Sequence, residues 1–171
     1  MMGPANGRFY NGVVPPDPTP PTPGVVSEVE RRRVLRLLDE SRSSTVVVLS
    51  APAGSGKSTV AQQWVTRDAR SHVTVRLAEH LDDPAALSEH IIDALECFGA
   101  PAPETRSRIT GKEPVFSATL LPALNRLSQS RAEPFILVLD DVHLLHSTAA
   151  HRVIEAVCEG TPSGSTIVLL T

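Results

Sequence analysis

Residues 45–59 read TVVVLSAPAGSGKST and join an apolar run to a run of very small residues. Thr45–Ser50 is rich in β-branched residues with almost no polar break, which predicts a strand buried on both faces of a parallel sheet. A helix is predicted to follow, from Lys57 to Arg70. The loop between them nearly matches the phosphate-binding pattern G-x-x-x-x-G-K-[ST], departing only at Ala51, which replaces the first glycine.

The small residues of this loop predict a backbone that can surround a phosphate. Inward-turned N–H groups and the positive end of the following helix both favour an anion there. Lys57 would then reach the β- and γ-phosphates, the Ser58 hydroxyl would ligate Mg²⁺, and Thr59 would lie near the α-phosphate. The predicted nucleotide-binding residues of the loop are Ala53, Gly54, Ser55, Gly56, Lys57, Ser58 and Thr59.

Two acids end the second strongly apolar segment, FILVLDD, residues 135–141. Burying both is costly unless a cation compensates, which favours a magnesium site over a solvated turn. We expect Asp140 to hold Mg²⁺, directly or through water, and Asp141 to polarise the attacking water. Thr171 ends the last predicted strand and could touch the γ-phosphate at the same sheet edge, although an ordinary strand-end threonine is an equal interpretation.

Apolar periodicity places helices between the strands, which predicts a three-layer α/β fold with helices on both faces of a parallel sheet of about four strands. Asp83 and Pro84 are suited to the start of the helix after the second strand. The predicted strands are 45–50, 72–78, 135–140 and 165–171, and the predicted helices are 28–41, 57–70, 84–98, 116–128 and 149–159.

Composition narrows the class of protein. The chain has 171 residues, 41% hydrophobic and 20% charged, which suits one soluble folded domain. The net charge is −3, so the chain as a whole lacks the positive charge that would favour nucleic-acid binding. No apolar run approaches the roughly 20 residues of a membrane span, and no signal peptide is evident. We therefore expect a cytoplasmic protein that makes no membrane contact, with Cys97 and Cys158 as reduced thiols.

The first residues differ from the rest in composition. Residues 1–24 hold seven of the 15 prolines and four of the 10 glycines, which predicts a disordered or polyproline-like lead over residues 1–26. Order is expected from Ser27, where SEVE reads as a capping box. The predicted nucleotide-binding domain is 27–171. Because the sequence stops on an apolar strand with no closing helix, we expect this domain to be truncated on its C-terminal side.

The segments VVVLSAPAGSGKSTVAQQWV, FILVLDDVHLL and STIVLLT together resemble the ATPase domain of the large ATP-binding LuxR-type transcriptional regulators. These are signal-transduction ATPases with numerous domains, within the AAA+-like P-loop group, and the resemblance covers residues 25–171. It implies Lys57 on phosphate, Ser58 and Asp140 on Mg²⁺, Asp141 as catalytic acid and Thr171 at the polar sensor position. It also implies ATP/ADP exchange and slow hydrolysis as a switch for self-association and transcription control.

The sequence departs from that family in two respects. Ser55 replaces the aromatic loop residue, and no fifth strand, winged helix, helical repeats or DNA-binding helix-turn-helix is present. We therefore expect the loop strand at a sheet edge, no DNA binding by this chain, and hydrolysis that needs the full-length context. One alternative is a small-molecule P-loop kinase with residues 104–112 as a lid, although this segment is equally interpreted as a solvated basic loop. Another is a degenerate scaffold that binds no nucleotide, which the intact loop and acids argue against.

Overall fold

The computed structural model describes residues 13–14, 31–98, 120, 122, 124–125 and 133–171, with the backbone alone for 13–14. Short 3₁₀ turns lie at Glu79–Asp82, Glu96–Phe98 and Val142–Leu144. The strands are β1 (Val13–Val14), β2 (Val46–Leu49), β3 (Ser71–Arg76), β4 (Phe135–Asp140) and β5 (Thr166–Leu170). The helices are α1 (Arg32–Glu40), α2 (Lys57–Val65), α3 (Pro84–Leu95) and α4 (Thr148–Glu159).

The strands form one sheet in the order β1-β3-β4-β5-β2. Strands β2 to β5 are parallel, as predicted, and the register places Val138 of β4 opposite both Thr74 of β3 and Val168 of β5. The two-residue strand β1 pairs antiparallel with β3. It was not predicted, and the other residues of the lead predicted over 1–26 lie outside the described part of the chain.

Helices cover both faces of the sheet, which confirms the three-layer prediction. One core cluster packs α3 and α4 against β3, β4 and β5, and a second packs α1 and α2 against the opposite face. Trp64 of α2 is fully buried in the second cluster, and its indole N–H donates to Asp39 Oδ1 at 3.2 Å. This bond ties α2 to α1, the two helices next to the loop between β2 and α2.

The prediction that the loop strand is buried on both faces is wrong. Val46 and Val48 of β2 are 37% and 57% exposed, whereas Val47 between them is buried. The reason is position: β2 lies at the edge of the described sheet, as we expected from the departure from the family, so one of its faces is left partly open. Strand β4, in the middle of the sheet, is buried at all six residues, as predicted.

Two helices differ most from their predicted spans, α1 at its start and α2 at its end. Helix α1 begins at Arg32, with Arg31 in the N-cap position, and the capping box predicted at 27–30 lies outside the described residues. Helix α2 ends at Val65, five residues early. Asp68 there accepts bonds from the backbone and guanidinium of Arg70, and such local side-chain bonds compete with helix continuation.

The other boundaries agree more closely with the sequence. Asp83 caps α3, since its Oδ2 accepts from the Ala86 amide at 2.9 Å. Strand β3 spans 71–76, and α3 ends at Leu95 before a 3₁₀ turn, so both elements are shorter than predicted at their C-terminal ends. The predicted helix 116–128 lies largely outside the described residues. Leu120 and Leu124, two of its residues that are described, are buried.

Candidate functional site

The loop between β2 and α2 turns on two glycines. Gly54 has φ +73° and Gly56 has φ +81°, in the left-handed region that favours glycine. A Cβ on Gly54 would meet nothing within 4 Å, so this position requires glycine for its conformation rather than for space. Among the described residues Asp141 is the only non-glycine residue with positive φ, so Ala51 keeps an ordinary backbone. The departure from the glycine pattern at Ala51 therefore brings no strain.

Lys57, the first residue of α2, reaches back over the loop. Its ammonium donates to the carbonyl oxygens of Ala51 at 2.7 Å and of Pro52 at 3.3 Å. Both acceptors are neutral. A charge-assisted bond to an anion is stronger than a bond to a neutral carbonyl, so a phosphate oxygen would compete well for this donor.

A cavity of about 140 Å³ opens beside the loop. In its wall the Ser55 hydroxyl is buried and has no hydrogen-bond partner within the described part of the chain. A donor without a partner in a glycine-shaped loop fits an anionic ligand with oxygen acceptors. The cavity is lined by Arg31, Val34, Leu49, Ser50, Ala51, Ser55, Gly56, Lys57 and Val60.

Arg31 is a residue of this site that sequence reasoning missed, because the arginines before and within α1 read as a solvated face. Its guanidinium lies against the loop: a Cβ on Gly56 would come within 3.1 Å of Arg31 Nη2. Gly56 therefore also provides space for a second cation beside Lys57. Three consecutive arginines, 31–33, indicate positive charge near the start of α1, but nothing in their spacing indicates that Arg31 is the one that lies beside the loop.

The two acids stand at the end of β4. Asp140 is only 3% exposed, and its Oδ1 accepts from the Asp141 amide at 2.9 Å. Asp141 has φ +62° and ψ +36°, a left-handed conformation that Asp adopts more readily than most residues. This turn leads the side chain of Asp141 out of the strand, and its Oδ2 lies 3.9 Å from Arg76 Nε.

Thr171 lies where β5 meets the loop. Its amide donates to the Leu49 carbonyl at 3.1 Å, and its own carbonyl accepts from the Ala51 amide at 3.2 Å. Strand β4 is next to β5 and two places from β2, a backbone separation of about 10 Å. The structure thus brings Asp140, Thr171 and the loop to the same carboxyl edge of the sheet.

Asp140 and Ser58 offer a carboxylate and a hydroxyl oxygen, the type of ligand atom that Mg²⁺ takes in proteins. The described residues contain no group of three or more His, Cys, Asp or Glu side chains that could hold a metal ion. Mg²⁺ is usually bound by one or two carboxylates together with substrate phosphates and water. The buried carboxylate of Asp140 and the hydroxyl of Ser58 match that requirement when a phosphate completes the shell.

Residues 141–147, here termed the acid segment, connect β4 to α4 and are fastened at their far end. Asp82 Oδ1 accepts from the His146 and Ser147 amides, both at 2.8 Å, and the Ser147 hydroxyl donates to the Asp82 carbonyl at 2.8 Å. The Ser147 hydroxyl also accepts from the Ala150 amide, which caps α4. One carboxylate from the β3–α3 connection therefore fixes where α4 begins.

These bonds predict a pH dependence of stability. Hydrogen bonds to its carboxylate, of which the one from the Ser147 amide has the largest effect, lower the pKa of Asp82 below its usual range. The stabilisation is therefore present above the unfolded-state pKa of about 3.9 and is lost as pH falls through the folded-state pKa. Asparagine does not titrate, so we expect the free energy of unfolding of Asp82→Asn to fall less steeply than that of wild type as the pH is lowered below about 5. Chemical denaturation at a series of pH values measures this.

The exposed carboxyl of Glu89 on α3 supplies the control for that experiment. Glu89→Gln should keep the wild-type pH profile. Parallel profiles for wild type and Asp82→Asn would show that the bonds from the acid segment do not favour the ionised carboxylate.

The two cysteines do not take part in the candidate site. Cys97 and Cys158 are free, and burial raises the pKa of each thiol, so neither is activated as a nucleophile. None of the described helices has the length and apolar character that crossing a membrane requires.

A sequence model described as "AAA ATPase domain" matches residues 25–170. The HTH-type transcriptional regulator MalT of Vibrio cholerae serotype O1 is 24% identical over 169 residues, 95% of this chain and 16% of that protein. MalT of Serratia proteamaculans is 26% identical over 145 residues, 84% of this chain and 16% of that protein. The chain therefore spans about a sixth of these relatives.

Among solved structures, that of PCH-2 from C. elegans matches 82% of this chain and 35% of its own. Its TM-score is 0.39 and its sequence identity 13%.

Proposed function

This chain belongs to the AAA ATPase domain family, and on that premise we propose that it is the ATP- and Mg²⁺-binding module of a LuxR-type transcriptional regulator. The observation that carries the proposal is the loop itself. Gly54 and Gly56 turn the backbone between an edge strand and a helix, and Lys57 places its ammonium over that turn. Helix α2 begins at this point and directs its positive end at the loop.

Each predicted site residue has a role in this proposal. The loop from Ala53 to Gly56 surrounds the phosphates, with Lys57 on the β- and γ-phosphates and Thr59 near the α-phosphate. Ser58 and Asp140 hold Mg²⁺, which supplies neutralisation of the phosphate charge. Asp141 orients the attacking water.

Thr171 is assigned the position beside the γ-phosphate, and Arg31 joins the site as a second cation. The support for Thr171 is its backbone contact with Ala51 at the start of the loop. The support for Arg31 is its approach to Gly56 in the wall of the cavity. Both residues reach the loop through elements other than β2 and α2, so nucleotide binding would engage α1 and β5 as well.

We further propose that ATP and ADP act as a switch for self-association and transcription control in the whole protein. The support is that the two relatives are HTH-type transcriptional regulators. The chain matches 16% of each, so their DNA-binding activity is not assigned to it. The segment 104–112, which a small-molecule kinase would need as a lid, lies outside the described residues.

Calorimetric titration with ATP, with and without Mg²⁺, tests the proposal. Wild type is expected to bind ATP, and Mg²⁺ to tighten binding. Ser58→Ala should lose about tenfold of the Mg²⁺-dependent affinity, because one hydrogen-bonding or ligating contact to a charged group contributes about 1.5–3 kcal/mol. Its affinity without Mg²⁺ should be unchanged.

Ser88→Ala is the matched control, since this hydroxyl donates to the Pro84 carbonyl within α3. It should bind ATP as wild type does at every Mg²⁺ concentration. Failure of the wild-type protein to bind ATP would overturn the proposed function.

A further inference from the structure

We infer that Asp39, at the far end of α1, is a positioning residue that holds Arg31 beside the loop by fixing how α1 lies along α2. The inference rests on the proposed function, because it presumes that Arg31 is a cation of the nucleotide site. It adds a residue that neither the loop pattern nor the acidic pair includes. Asp39 lies at the opposite end of α1 from the loop and acts through the indole N–H of Trp64.

Helices α1 and α2 lie side by side and run in the same direction. Each has nine residues. At the loop, Arg31, which precedes α1, lies against Gly56, which precedes α2. At the far ends, Asp39 and Trp64, each the last residue but one of its helix, form the indole–carboxylate bond at 3.2 Å. Both contacts join residues 25 positions apart in the chain, so the helices are aligned along their whole length without an offset.

Apolar packing alone does not fix this alignment. The other buried side chains that α1 and α2 place in the second core cluster are aliphatic, and hydrophobic attraction has no preferred direction. In coiled coils a single polar contact among apolar side chains specifies the register of the packed helices. The bond between Trp64 and Asp39 is a contact of this kind, because the indole is fully buried and its N–H donates to one carboxylate oxygen.

The directional contacts between the two helices lie at their far ends. No side chain caps either helix at the loop: Arg31 makes no capping bond, and Gly56 has no side chain. Beyond the other end of α1, Arg42 Nη2 lies 3.2 Å from Asp39 Oδ1, and Arg42 Nε lies 3.7 Å from Asp68 Oδ2, just past α2. Asp39 thus contacts both Trp64 and Arg42, and each of these contacts leads to the end of α2.

The distance that matters at the nucleotide site is small. One residue of slip moves a helix by about 1.5 Å along its axis, whereas the groups of a binding site must be held to within about 0.5 Å. A shift of α1 against α2 would therefore displace Arg31 from the loop while leaving the fold intact. The bond at Asp39 opposes that shift.

A double-mutant cycle on the protein expressed as its gene encodes it tests the inference, with the Kd for ATP measured by calorimetry. Arg31→Ala should raise this Kd about tenfold and Asp39→Ala about fivefold, because a contact to a charged ligand is lost in the first and misplaced in the second. Asp39→Asn, whose amide oxygen still accepts a hydrogen bond, should bind ATP as wild type does. In the Arg31→Ala background, Asp39→Ala should cause no further loss, since residues that act through one another are not additive.

Three further measurements complete the test. Trp64→Phe keeps an aromatic ring but removes the N–H donor, so it should raise the Kd as Asp39→Ala does. Trp64 is the only tryptophan of the chain, so its fluorescence should shift in Asp39→Ala and show that the bond is lost in the folded protein. Glu40→Ala, at the exposed acid next to Asp39 on α1, is the control and should bind ATP as wild type does.

The outcomes separate this inference from the proposed function. A wild-type Kd for Asp39→Ala or for Arg31→Ala would overturn the positioning role while leaving ATP binding in place. An equal loss of affinity in the Arg31→Ala background would also overturn it, since Asp39 would then act without Arg31. If Asp39→Ala does not fold, Trp64→Phe takes its place in the cycle and decides in the same way. If wild type does not bind ATP, the proposed function fails and this inference fails with it.

Discussion

Lys57→Ala is expected to weaken ATP binding by about a hundredfold or more. The ammonium of Lys57 lies over the glycine turns, where it donates to two loop carbonyls. In the proposed complex it would exchange these neutral acceptors for phosphate oxygens. Two charge-assisted bonds of about 1.5–3 kcal/mol each correspond to a loss of two or more orders of magnitude in affinity. Calorimetric titration of ATP into the folded variant measures the change.

The control for this variant must remove a cation without touching the loop. Arg33 is exposed on α1, and Arg33→Ala should bind ATP within about twofold of wild type, because an exposed charge outside the site is screened by salt. Lys57→Ala should also melt near the wild-type temperature, because the bonds lost are local to the loop. A wild-type affinity in Lys57→Ala would remove the phosphate-binding assignment of the loop.

The fold was predictable where the local sequence and the final position agree. Strand β4 is uniformly apolar and central in the sheet, so its span was predicted to the residue. Strand β2 is as apolar as β4, but it lies at the edge, and Val48 is 57% exposed. A run of valines indicates a strand without indicating how many neighbours it has. Likewise Val13–Val14 becomes a strand only because the edge of β3 accepts it.

The candidate site divides in the same way. The loop and the two acids are contiguous motifs, and their spacing alone indicated a strand–turn–helix and a strand carrying carboxylates to the same edge. Arg31 and Arg76 enter the site through tertiary geometry: the first through the packing of α1 beside the loop, the second through the register of β3 with β4. The left-handed backbone of Asp141 is also invisible in sequence, because Asp is acceptable in many conformations.

Asp141→Asn is expected to keep ATP binding within about twofold and to lower the rate of hydrolysis by two orders of magnitude or more, within the range of roughly 10²–10⁴ typical of a lost acid–base group. Asparagine suits this test because it tolerates a backbone at φ +62° as aspartate does. Alanine would add backbone strain to the loss of charge. Single-turnover hydrolysis, with calorimetry on the same preparation, measures rate and affinity separately.

Glu155→Gln, at an exposed position on α4, is the neutralised-acid control and should hydrolyse ATP at the wild-type rate. Undiminished turnover in Asp141→Asn would rule out Asp141 as the residue that orients water. Together with Lys57→Ala, this variant separates two functions that share one sheet edge. The lysine acts on the bound nucleotide and should change affinity, whereas the acid acts on the water and should change the rate alone. A loss of affinity in Asp141→Asn would instead mean that the acid helps to hold the nucleotide, which would move it from the catalytic to the binding part of the site.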